Sequence, residues 1–264
     1  MYTALQSLYI KGSAGDPLPT VFESLAQRGT HFLRGQLVLV CAGPGTGKSG
    51  MTLTYAVKSR VPTLYFSADS DAFTQTSRMT SILTGWTLEK SSELVRLGDL
   101  NGATPALDGM PIRFVYDASP TLDTIGDSLK AYLQLNGDYP ALVVIDNITN
   151  VVTASSEEDP FSGLEMLMDV LHKLARDTGA CVVGLHHVTG EYNNGNVPIP
   201  LNGVKGQITR VPELVLTMFR TQSEFGGAYL NISTVKNRAG KQDPSGRSYV
   251  SLVFDGNTMT IKDP

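Results

Sequence analysis

An apolar, β-rich run at residues 36–41 breaks into Ala42-Gly43-Pro44-Gly45-Thr46-Gly47-Lys48-Ser49, and a segment of helical spacing follows at 48–59. This junction of strand, glycine loop and helix constrains the fold more than any other feature. Glycines let the backbone turn so that successive N–H groups point inward, and the following helix adds its positive end. Such a cradle suits phosphate: Lys48 would reach β- and γ-phosphate oxygens, and the Ser49 hydroxyl would hold Mg²⁺. The expected ligand is a nucleoside triphosphate, ATP, bound by residues 42–49 with Mg²⁺. Ala42 stands where glycine is commonest, and a tight strand exit tolerates the methyl group.

The rest of the chain alternates in the same way. Apolar β-rich runs at 63–67, 112–116, 141–145 and 181–185 are each followed or preceded by helical spacing, at 72–83, 121–135 and 161–177. Leu122, Ile125, Leu129 and Leu133 form one stripe; Leu164, Leu167, Met168, Leu171 and Leu174 form another. Runs that are apolar throughout indicate strands buried on both faces. The pattern predicts an α/β fold with a mainly parallel, twisted sheet flanked by helices. Beyond Glu213 it changes: 214–220, 229–236 and 249–254 read as strands joined by Gly-rich turns, antiparallel additions to one sheet edge. Residues 89–110 and 189–206 read as long loops. No Pro- or Ser-rich linker divides the chain, which predicts an N-terminal arm at 1–20 and one domain at 21–264. Within the arm, Leu5, Leu8 and Tyr9 either dock on a neighbour or form a local tail.

Composition narrows the classes. The 264 residues carry 21 Lys and Arg against 25 Asp and Glu, a net charge of −4, so general coating of nucleic acid is not expected, although a local basic groove is compatible. No run approaches the roughly 20 apolar residues that cross a bilayer, and residues 1–10 lack a signal-peptide pattern. A cytoplasmic protein follows. Cys41 and Cys181 lie in apolar strands and read as reduced core residues rather than a disulfide or a zinc site. The acidic run 157–159 precedes a helix, where negative charge favours the dipole.

Residues 143–146, Val-Val-Ile-Asp, form an apolar strand ending in an acid. At the carboxyl end of a parallel sheet Asp146 would join Ser49 in the Mg²⁺ shell.

Together these motifs resemble the RecA/DnaB-like P-loop ATPase core, in particular phage-encoded relatives of the replicative DNA helicase motor. The resemblance runs over residues 17–254. It includes Leu33-Arg34-Gly35-Gln36-Leu37, Phe66-Ser67-Ala68-Asp69, Leu185-His186-His187 and Lys236-Asn237-Arg238. It implies that Asp69 is the catalytic acid that polarises water, although the family usually has glutamate there. It implies that His187, rather than His186, senses the γ-phosphate. Lys236 and Arg238, two apart on a strand and so on one face, correspond to the pair that enters a neighbour's nucleotide site. The loop after His187 corresponds to the family's DNA-contacting loop, with Tyr192 to stack on a base and Lys205, Gln207 and Arg210 to meet phosphates.

The function implied is an ATP-dependent motor or remodeller of single-stranded or branched DNA in phage replication or recombination, acting as a homo-oligomer in a closed, hexameric ring. Two alternatives stay open: a recombination protein or structure-specific nuclease on the same core, and a nucleotide-gated DNA-binding module with little hydrolysis.

Overall fold

Every residue of the first strand, β1 (Leu37–Ala42), is buried, and its side chains divide between two cores. Val38, Val40 and Ala42 face one side, Leu37, Leu39 and Cys41 the other. Period-2 alternation with apolar groups on both faces is why the run showed no polar alternation. The structure, a computed structural model, describes residues 1–100, 102–153, 160–206, 208–222 and 227–264. Gln207 and the acidic run 157–159 lie outside the described residues.

The helices are α1 (Ala4–Ile10), α2 (Glu23–Gln27), α3 (Lys48–Ser59), α4 (Ala72–Thr84), α5 (Leu88–Leu97), α6 (Thr104–Asp108), α7 (Leu122–Asn136) and α8 (Pro160–Thr178). The remaining strands are β2 (Thr63–Ser67), β3 (Ile112–Val115), β4 (Leu142–Asp146), β5 (Cys181–His186), β6 (Leu214–Gln222), β7 (Ala228–Asn237), β8 (Tyr249–Asp255) and β9 (Thr260–Lys262). Among the described residues they form one sheet in the order β3-β2-β4-β5-β1-β6-β7-β8-β9. The first six are parallel; β7, β8 and β9 add antiparallel. This is a mixed, mostly parallel α/β sheet with C-terminal antiparallel strands.

Helices α2, α3 and α4 cover one face through Leu25, Met51, Leu53 and Met79. The other is covered by α7 and α8, with Ile125, Leu129, Leu167, Met168 and Leu171 inward. On α7, Tyr132 is buried beside the expected stripe, while Leu133 is half-buried. Capping explains several boundaries. The Thr121 hydroxyl accepts from the Thr124 N–H, and Gly137 ends α7 at φ 77°.

Residues 89–110 are not loop: α5 and α6 occupy most of them. Thr87 caps α5 by accepting from the Lys90 N–H, and Gly98 closes it at φ 70°. Only Ser91 of α5 is buried, so no apolar stripe marked this helix in the sequence. The short β9 was also missed. The arm's α1 is a capped turn of helix with no buried residue.

Candidate functional site

The register brings the carboxyl ends of four parallel strands together. Ser67 of β2 pairs with Asp146 of β4, and Cys41 of β1 with His186 of β5. Each strand delivers its next residues to one pocket of about 430 Å³, lined by Gly45, Lys48, Ser49, Asp69, Asn147 and His187 among others. The glycine loop turns through Gly45 at φ 70° and Gly47 at φ 119°, and α3 starts at Lys48.

Lys48 is 7% exposed, and its ammonium donates to the Ala42 carbonyl at 3.0 Å and the Gly43 carbonyl at 3.2 Å. Burial lowers its pKa; nearby Cys41, Asp146 and Asp69 act the other way. Asp146, 1% exposed, accepts from the Tyr65 hydroxyl at 2.9 Å on Oδ2. Burial raises its carboxyl pKa, against the pull of Ser49, Tyr65 and Lys48. Its Oδ1 has no hydrogen-bond partner among the described residues, and Ser49 lies beside the carboxyl group. A buried carboxylate oxygen without a partner is costly. Beside a serine hydroxyl it has the hard oxygen chemistry that a hydrated magnesium ion takes.

Asn147 was missed in the sequence, although it directly follows the strand-ending acid. It is 2% exposed, and its amide donates to Asp69 Oδ2 and lies 3.4 Å from His187 Nε2. It therefore joins the acid on β2's exit to the histidine on β5's exit. Asn147→Ala removes that bridge. ATP turnover is expected to fall about 10- to 100-fold with nucleotide affinity within about twofold of wild type, read by steady-state kinetics and titration.

The two histidines divide. His187 lines the pocket, its pKa lowered by burial and by Lys48. His186 is fully buried beneath the following loop and bonds the Lys205 carbonyl through Nε2 at 2.7 Å. Burial pushes its pKa down to about 4, so it stays neutral with the proton on Nε2.

Arg220 on β6 was also missed. It donates through Nε to the Thr46 carbonyl at 2.6 Å and lies 4.1 Å over the Phe254 ring. Arg220, Phe254 and Met259 line the same pocket, contributed by β6, β8 and the β8–β9 turn, far away in sequence.

The 189–206 segment packs on the cradle. A Cβ on Gly43 would sit 2.5 Å from the Asn193 carbonyl oxygen, and one on Gly195 would sit 2.4 Å from Thr46 Oγ1. The Arg220 N–H bonds the Gly195 carbonyl at 2.7 Å. Packing alone thus calls for glycine at position 43. Gly43→Ala is expected to cost about 1–3 kcal/mol in urea unfolding without nucleotide, because backbone must move. Tyr192 rests its ring edge against Gly203 and joins the core margin, while Lys205 and Arg210 are exposed.

Lys236 and Arg238 do share a face, at the opposite end of the sheet. Lys236 pairs with Val215, which pairs with Leu39, so it lies about 10 Å along β1 from the cradle and two strands across. Its ammonium donates to the Thr209 and Arg210 carbonyls, each at 2.7 Å. Arg238, one residue past β7, donates to the Arg210 carbonyl at 2.9 Å and lies 3.6 Å from Glu213, which His172 also bonds. Neither cation is gathered into the pocket of its own chain.

This arrangement is that of a P-loop ATPase-type domain on a RecA-like sheet. The AAA domain family model matches residues 14–191, and the chain belongs to that family. It is 64% identical to the Gene 65 protein of Mycobacterium phage L5 over 265 residues, covering 100% of this chain and 99% of that protein. The Gene 65 protein of Mycobacterium phage D29 is 62% identical over 229 residues, 86% of this chain and 99% of that one. In fold, the chain matches a solved ATPase domain with a TM-score of 0.81 at 16% identity, covering 98% of this chain and 95% of that one. It also matches a DnaB-like replicative helicase, solved in a study of its interactions with primase. There the TM-score is 0.83 at 18% identity, covering 100% of this chain and 68% of that chain. The resemblance read from the sequence therefore holds for the fold. Among the described residues no helix is long and apolar enough to cross a membrane.

Proposed function

We propose that the chain is a magnesium-dependent ATPase acting on DNA, a helicase-type motor or remodeller in phage replication or recombination, working in the host cytoplasm as a closed ring of six. The observation that carries this reading is the convergence of Lys48, Ser49, Asp69, Asn147 and His187 on one pocket, with the buried Asp146 beside Ser49. In it, triphosphate oxygens replace the Ala42 and Gly43 carbonyls as acceptors for Lys48. Ser49 and Asp146 would hold the magnesium ion, which supplies charge neutralisation at the β- and γ-phosphates. Asp69, oriented by Asn147, accepts the proton of a water whose oxygen attacks the γ-phosphorus as the bond to the β-phosphate oxygen breaks. His187 donates to a γ-phosphate oxygen, and the loss of that bond reaches the 189–206 segment through its strand end.

Lys236 and Arg238 act on a second copy's pocket, where they stabilise charge on the transferred phosphate. Burial, aided by Arg238, pushes the Lys236 pKa down to about 8. The ammonium is the active form, so turnover at limiting chain concentration, where the unassembled chain titrates, is expected to fall as pH rises through 8. Lys236→Arg, which stays charged, should flatten that decline in a pH–rate profile. DNA contact falls to exposed Lys205 and Arg210, with Gln207 and Tyr192 assisting.

The test is ATP turnover with and without single-stranded DNA, followed by a labelled forked duplex given ATP or metal alone. Stimulated turnover with ATP-dependent strand separation is expected. Cleavage by metal alone would favour a nuclease, and absence of turnover would favour a nucleotide-gated module.

A further inference from the structure

Asp146 is held at both its main chain and its side chain. Its carbonyl accepts the Ala68 and Asp69 N–H groups at 2.8 and 3.3 Å, so β2's exit fixes the end of β4. The Tyr65 hydroxyl donates to Oδ2 at 2.9 Å, whereas Oδ1 has no hydrogen-bond partner among the described residues. One carboxylate oxygen is committed, and the other is left for an ion.

The sheet explains why a tyrosine can do this. Tyr65 pairs with Val144, and Asp146 lies two residues further along β4 on the same face. That step is about 7 Å, which a tyrosine leaning along its strand spans and a serine or threonine does not. The ring is fully buried and packs against Phe114, 5.3 Å between centroids, so it has nowhere to swing. The polar neighbours of the hydroxyl are Gln75 and Arg78. Arg78 can only donate, and the Gln75 amide nitrogen already donates to Ser67 Oγ at 2.8 Å. Ser67 Oγ in turn donates to the Ser70 carbonyl at 2.6 Å, and Arg78 to Ser70 Oγ at 3.2 Å. Polar groups of β2 and α4 therefore support the loop that carries Asp69 as well as the carboxylate of Asp146.

We propose that Tyr65 is the positioning residue of the metal site: by holding Oδ2 it presents Oδ1 to the ion in a preset orientation. This rests on the reading that Ser49 and Asp146 hold magnesium. Without the hydroxyl, the carboxylate turns about its Cβ–Cγ bond and has to be ordered as the ion binds. Losing such an outer hydrogen bond typically costs about 10- to 100-fold in metal affinity. If Tyr65 only fills the core, its hydroxyl has merely found an acceptor, and phenylalanine serves magnesium equally well.

The test is the affinity of the full chain for a fluorescent, non-hydrolysable ATP analogue, titrated with Mg²⁺ and again with EDTA. The ratio of the two affinities is the metal's contribution. Tyr65→Phe removes one oxygen and keeps the ring, and a circular-dichroism melt checks that it is folded at the assay temperature. Its metal-free affinity is expected to stay within about twofold of wild type while the magnesium contribution falls about tenfold or more. With Asp146→Asn already in place, adding Tyr65→Phe is expected to change that contribution less than about twofold, because the hydroxyl acts through the carboxylate. An unchanged magnesium contribution in Tyr65→Phe overturns the proposal. So does an equal loss of affinity with and without metal. If wild type binds no tighter with Mg²⁺, or Asp146→Asn leaves the magnesium contribution intact, the reading of Asp146 falls and this proposal with it. A damaged Asp146→Asn beside an unaffected Tyr65→Phe removes this proposal alone.

Discussion

Lys48→Met is expected to reduce ATP turnover about 10²–10³-fold or more while leaving the folded protein as stable as wild type or more so. The two effects have one cause. Lys48 is buried with its ammonium donating to the Ala42 and Gly43 carbonyls, and burial lowers its pKa. A lysine pKa below its unfolded value means that the native state disfavours the charge. That penalty is fully present below the folded pKa and fades as pH rises toward the unfolded one. Methionine keeps much of the side-chain volume and removes the charge, so the penalty disappears at neutral pH. The same charge is what the triphosphate needs, so turnover collapses. Thermal melts without nucleotide read the first effect, and steady-state kinetics the second. A large drop in Tm accompanying lost activity would show that Lys48 is structural.

Arg238→Ala is expected to lower turnover about 10³–10⁵-fold, the range for a cation inserted beside a transferred phosphoryl group. Its own-chain contacts are modest: the Arg210 carbonyl and Glu213 at 3.6 Å, with the side chain half exposed. Their loss should therefore change stability little. The discriminating experiment mixes Arg238→Ala with Lys48→Met. Each is inactive alone, but a Lys48→Met copy carries an intact Arg238 that can serve the intact cradle of an Arg238→Ala copy. Partial recovery on mixing is expected. If Arg238 worked on its own chain's pocket, mixing would restore nothing.

Much of this site was legible because its parts end strands. Lys48, Ser49 and Asp146 each follow a buried apolar run, and local pattern places such residues at one end of a parallel sheet; Asp69 and His187, singled out by the family resemblance, follow strands in the same way. Strands β1 to β8 matched the sequence reading to within a residue or two for the same reason. Arg220, Phe254 and Met259 were not legible. They reach the pocket only because β6 lies beside β1, with Met218 opposite Ala42, and because the β8–β9 turn folds back; no local spacing encodes that. Asn147 looked like any polar residue after a strand. The packing of Asn193 and Gly195 on the cradle depends on a loop whose Asn, Gly and Pro content signalled only irregular backbone. Helix α5 was missed because it buries almost nothing.

The central claim, a nucleotide site completed by another copy, is tested most directly by ATP turnover per chain as a function of protein concentration, with Mg²⁺ and single-stranded DNA in excess. Turnover per chain is expected to be near zero where sedimentation shows monomers and to rise to a plateau as the chain assembles. Full turnover by a demonstrable monomer would contradict the account.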